Sequence, residues 1–129
     1  MLWITLRKRF LETKMIIYFK NRKISVPVKE TGFFSKALGL TFRTSQTKPL
    51  LFDFQREVYQ RGALTSWFVF FPFLAVWLDK NNRVLEFKII SPFTLKILPK
   101  KPFRRIVEVP LNAKNKKIIG FFVGKIRNI

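Results

Sequence analysis

Residues Arg61–Arg83 read RGALTSWFVFFPFLAVWLDKNNR, in which seventeen consecutive residues, Gly62 to Leu78, carry no charge. Elsewhere the chain has a Lys or Arg at about one position in five. Such a stretch is either a membrane span or the middle of a folded core. As a helix it would reach only ~25 Å at ~1.5 Å per residue, short of a ~30 Å hydrocarbon layer. Thr65, Ser66 and Pro72 dilute it further, and 13 Lys and Arg precede it while 13 follow, so no charge asymmetry sets an orientation. Trp67, Phe68, Val69, Phe70, Phe71, Phe73, Val76 and Trp77 are aromatic or β-branched, the side chains that pack well on a pleated surface. Two adjoining strands are therefore expected, about Leu64–Phe71 and Phe73–Leu78. Pro72 falls at their junction, where a missing N–H breaks no ladder.

The flanking sequence supports strands. Asp79–Arg83 (DKNNR) is a turn, because Asp and Asn bond their own backbone and Asn tolerates positive φ. Val84–Ile90 then alternates, with Leu85, Phe87 and Ile89 on one face and Glu86 and Lys88 on the other. Further strands are expected at Met15–Phe19, Lys23–Val28, Leu50–Phe54, Arg105–Val109 and Ile118–Val123, separated by Gly and Pro. One short helix is expected in TGFFSKALGL, where Phe33, Ala37 and Leu40 share a face. The fold class is thus mainly β: an antiparallel sandwich of jelly-roll type or a partly closed barrel, with one short helix. Residues 1–22 read as an N-terminal extension able to add a strand, and 23–129 as a single domain.

Composition narrows the chemistry. Of 129 residues, 26 are Lys or Arg and 7 are Asp or Glu, a net charge of +19. A field of that sign attracts polyanions, either nucleic acid or an anionic membrane surface. The chain has no Cys and no His, which removes thiolate chemistry, the commonest general base and the usual zinc ligands. The seven acids are scattered, with no metal-ligand spacing, and no serine has a histidine to activate it. No metal, no cofactor and no enzymatic activity is expected. At the N-terminus only Leu2–Leu6 precede Arg7, Lys8 and Arg9, the reverse of a secretory leader, so a cytoplasmic location is expected.

Four segments, taken in order, resemble the domain of unknown function 192 family. They are ISVPVKETGFFSKALGLTFR (Ile24–Arg43), PLLFDF (Pro49–Phe54), FPFLAVWLDKNNRVLE (Phe71–Glu86) and RRIVEVPLNA (Arg104–Ala113). The resemblance runs from about Lys23 to Ile119 and implies a compact, mostly β fold of sandwich or jelly-roll type. It also implies a loss: where the family carries a Lys, an Asn and an Asp around the hairpin proline, this chain has Trp67, Phe68 and Leu74. Arg43, Asp79, Arg83, Glu86 and Asn112 remain of its polar signature.

Two groups of residues are candidates for a site. Arg43, with Lys100, Lys101, Arg104 and Arg105 of the Pro-broken loop KILPKKPFRR, could bind an anion. Against this, Arg43 could pair with Asp79 or Glu86, and the loop could be a solvated basic turn with Phe103 tucked inward. Trp67, Phe68 and Leu74 could line an apolar pocket, or fill a former polar one by burial worth ~1.5–3 kcal/mol each. The expected function is a small, basic, non-catalytic domain with a binding or accessory role. The alternatives are a non-specific nucleic-acid-associated protein and a peripheral membrane protein.

Overall fold

The computed structural model describes residues 12–30, 48–58, 71–93 and 99–124. Six strands occur in them: β1 (Glu12–Phe19), β2 (Arg22–Glu30), β3 (Leu50–Val58), β4 (Phe73–Leu78), β5 (Val84–Ile90) and β6 (Phe103–Pro110). They form one sheet in the order β1-β2-β3-β6-β4-β5. It curls into a half-barrel, and among the described residues there is one short α-helix, α1 (Lys116–Val123). The partly closed barrel is therefore the form adopted. The sheet is mixed rather than wholly antiparallel, since β2 and β3 run parallel through Lys29–Leu50 and Glu30–Leu51.

β4 answers the opening question for the residues described. It lies between β6 and β5, and all six of its side chains are buried. Leu74, Val76 and Leu78 face one core with Ile17, Val26, Val28, Val107 and Val109. Phe73, Ala75 and Trp77 face the other with Leu50, Phe52, Phe103 and Ile106. A strand buried on both sides needs an unbroken apolar run, which is why alternation is missing from this stretch. Among the described residues no helix is long and apolar enough to cross a membrane. The expected strand Leu64–Phe71 (apart from Phe71, which is buried) and the expected helix TGFFSKALGL lie outside the described residues.

The first core is the concave one, because strands from both ends of the sheet order meet on it. Phe19 of β1 and Phe87 of β5 stand edge to face at 5.5 Å, and both touch Phe122 of α1 at 5.6 and 5.7 Å. Tyr18 N–H donates to the Asn82 carbonyl at 2.9 Å, joining the β1–β2 hairpin to the β4–β5 turn. Glu12–Phe19, inside the expected N-terminal extension, is thus a strand paired with β2 along its whole length.

Two local expectations need correction. Ile118–Val123 is helix, not strand. Read as a strand, its β-branched and aromatic residues look suitable, but Ile118, Ile119 and Phe122 all enter the concave core, which strand alternation cannot arrange. Local bonds supply the rest. Asn112 Oδ1 accepts from Asn115 N at 2.9 Å, and Asn115 Nδ2 donates to the Pro110 carbonyl at 3.0 Å. At the other end, Arg22 Nη2 donates to the Phe121 carbonyl at 3.0 Å, and Gly124 takes the positive φ of a helix stop. The second correction concerns β5. A register shift sets Leu78 opposite Val84 while Trp77 stays opposite Glu86. Leu85 therefore leaves the face shared by Phe87 and Ile89 and packs on the second core.

Candidate functional site

Three pieces of backbone converge near the end of β3: Gln55–Glu57, the Asp79–Arg83 turn, and the Lys100–Arg105 entry to β6. The turn is built by Asp79, whose Oδ1 accepts from Asn81 N at 2.8 Å and Arg83 N at 3.0 Å, with Asn82 at φ 61. On β3, Asp53 Oδ1 accepts from Gln55 N at 2.8 Å, holding Gln55 at φ 60 where the β3–β6 register shifts. β6 places Arg105 opposite Asp53 on one side and Leu78 on the other.

Arg105 joins these pieces. Its Nε donates to Asp53 Oδ2 at 3.0 Å, and its Nη1 donates to the Lys80 carbonyl at 3.0 Å and Asn82 Oδ1 at 3.1 Å. Arg104 Nε lies 3.6 Å from Asp53 Oδ1. Burial acts to raise the Asp53 pKa, but the Gln55 amide, the Arg105 bond and the charges of Arg105 and Arg104 together outweigh it, so the net shift is downward. Glu86 behaves alike: burial raises its pKa, while the Lys100 amide at 3.0 Å and the Lys88 ammonium at 3.0 Å bring it below its ordinary value. Both carboxyls are therefore held ionised, the opposite of what a proton donor near neutrality requires.

Beside this network is a half-open cleft of about 400 Å³ lined by Glu57, Asp79, Lys80, Asn81, Leu85, Pro102, Phe103 and Arg104. Leu85 and Pro102 are its apolar side, backed by the buried Phe103, and its charged members are two acids and two bases. Such a cleft can hold a ligand by charge and contact. Among the described residues no group of His, Cys, Asp or Glu could hold a metal ion.

Of the residues expected to bind an anion, Lys100 and Lys101 are exposed, while Arg104 and Arg105 direct charge at Asp53. Phe103 is fully buried, tucked inward. Leu74 is also fully buried, in the concave core and not in the cleft. Arg43, Trp67 and Phe68 lie outside the described residues. Sequence reasoning missed Asp53 as the partner of Arg104 and Arg105, and Glu57, Lys80 and Leu85 as cleft residues. Only the β3–β6–β4 register brings them together, and no local pattern encodes that. The turn's own bonds, by contrast, were readable in DKNNR.

No protein-family model and no curated protein matches the chain. Solved structures do. A protein of unknown function from Novosphingobium aromaticivorans aligns with a TM-score of 0.65 at 11% identity, over 83% of this chain and 78% of that one. A candidate transcription regulator from Sinorhizobium meliloti aligns with a TM-score of 0.66 at 18% identity, over 84% of this chain and 85% of that one. At such identities the likeness establishes the fold: this chain is built as those two proteins are.

Proposed function

We propose that this chain is a non-catalytic binding domain for polyanions, with nucleic acid the foremost partner. The observation that carries the reading is how the fold uses its few acids. Asp53 is taken by Arg104 and Arg105, Glu86 by Lys88 and the Lys100 amide, and Glu108 is buried in the sheet. Lys80, Lys101, Lys114, Lys116 and Lys117 remain exposed, so the +19 charge is carried on the surface. Fluorescence anisotropy of a labelled oligonucleotide, titrated with salt, tests this. Affinity should fall with a log–log slope of about −0.7 per neutralised phosphate on a single strand. Binding indifferent to salt, or none at low salt, refutes it.

We also propose that the chain is a divergent member of the domain of unknown function 192 family. The support is that the resembling segments PLLFDF, FPFLAVWLDKNNRVLE and RRIVEVPLNA fall on β3, on β4–turn–β5 and on β6 with the turn after it. On this reading positions 67, 68 and 74 belong to one site. If the three polar groups restore one another's partners, changing all three together (Trp67→Lys, Phe68→Asn, Leu74→Asp) should cost less than the sum of the single changes, by about 0.5–3 kcal/mol. Strict additivity of the urea midpoints counts against it.

A further inference from the structure

The β1–β2 hairpin carries no carboxylate between Thr13 and Lys29, yet it holds Lys14, Lys20, Arg22, Lys23 and Lys29. Its strands alternate cleanly. Met15, Ile17, Val26 and Val28 enter the concave core, while Lys14, Ile16, Tyr18, Lys23, Ser25 and Pro27 face solvent. The register sets Tyr18 directly across from Lys23, Ile16 across from Ser25, and Lys14 across from Pro27. Tyr18 is 43% exposed, unlike the buried Phe73, Trp77 and Phe103. Its peptide is fixed, because its N–H donates to the Asn82 carbonyl where the barrel seam meets.

We propose that this outer face binds single-stranded nucleic acid. Tyr18 is a stacking platform for an unpaired base, with Lys23 directly across from it and Lys14 four residues back on the same strand taking neighbouring phosphates. The inference rests on the polyanion reading above and gives it a place and a strandedness. An exposed ring on the outer face of a strand pair is useful only to a base whose face is free, which a duplex does not offer. Charge complementarity favours this face over the KKPFRR loop, whose two arginines already face Asp53.

The test is anisotropy of the full chain with fluorescein-labelled oligo(dT) and with a duplex of the same length. The single strand should bind more tightly. Tyr18→Ala should weaken it roughly tenfold or more, the size of one lost base–aromatic stack, while Tyr18→Phe keeps the affinity and serves as a folding control. The pair Lys14→Gln and Lys23→Gln should reduce the salt slope by about 0.7 per lysine. Unchanged binding by Tyr18→Ala, or loss confined to Lys100→Gln and Lys101→Gln, overturns this face but leaves the polyanion reading intact. No binding by the unaltered chain overturns both. Oligonucleotide binding that survives Tyr18→Ala, while sedimentation with phosphatidylserine vesicles is lost, would make the face a membrane surface instead.

Discussion

Removing the Arg105 guanidinium should loosen the open end of the sheet more than removing any exposed lysine. In Arg105→Ala, three bonds of 3.0–3.1 Å disappear, one to a carboxylate and two that tether the β4–β5 turn. A hydrogen bond to a charged group contributes ~1.5–3 kcal/mol net, and an exposed ion pair about 0–1. The Arg105 and Asp53 side chains are 18% and 19% exposed, so solvent screens them only in part. Asp53 is not abandoned, because the Gln55 amide and Arg104 stay near it. These terms place the loss at about 2–3 kcal/mol. The comparator is Lys88→Ala, whose side chain is 40% exposed and whose loss should stay under ~1 kcal/mol. Urea unfolding followed by tryptophan fluorescence measures both, with m unchanged. Equal losses, or less than about 0.5 kcal/mol for Arg105→Ala, would show that the guanidinium does not hold the turn.

The same network sets a pH dependence. The folded pKa of Asp53 lies below its ordinary 3.8, so in acid the unfolded chain binds more protons than the folded one. Its stabilisation is therefore complete above the unfolded pKa and disappears as pH falls through the folded value. Arg105→Ala should flatten that acid limb. A limb of unchanged slope would assign it to other carboxylates.

Other expected outcomes follow from burial and backbone angles. Leu74→Ala, at a site with no exposure, should cost about 2–5 kcal/mol in urea, and Ile89→Ala, at 44% exposure, under about 0.5. Lys20 opens the two-residue loop between Phe19 and Arg22 at φ 56, so Lys20→Gly should raise stability by about 0.5–1 kcal/mol in thermal melts. Asn112→Ala removes the side-chain bond to Asn115 N and should cost about 0.5–2 kcal/mol, seen also as lost helical circular dichroism.

What could be read from the residues, and what could not, divides by how far apart the cooperating residues lie. β4 and β5 fall at Phe73–Leu78 and Val84–Ile90 as expected, because a doubly buried run, a DKNNR turn and an alternating strand are each local statements. The helix at Lys116–Val123 is equally local, yet its residue types favour the wrong element. The β-propensity of IIGFFV points to a strand, whereas Asn112, whose side chain caps the turn before the helix, and Gly124 just after it are the local start and stop signals that decide. The parallel β2–β3 pair and the shifted Leu85 depend on registers between strands, which side-chain pattern alone does not contain.

The candidate site shows the limit most clearly. KKPFRR announces four cations to any reader of the chain, yet two of them face an aspartate about fifty residues away, which offsets part of their charge. Ile16 and Tyr18 look like core residues in MIIYF, and only the register of the hairpin shows that Tyr18 stands outward against Lys23. Net charge can say that a chain attracts polyanions, but the pairing of its few acids decides where. Here Asp53 and Glu86 spend their charge around the β6 entry, and the hairpin from Thr13 to Lys29, which carries no acid, is left as the more basic stretch. If Asp53→Asn moved oligonucleotide binding onto Arg104 and Arg105, so that Tyr18→Ala no longer mattered, charge pairing rather than the exposed ring would prove to govern where the strand docks.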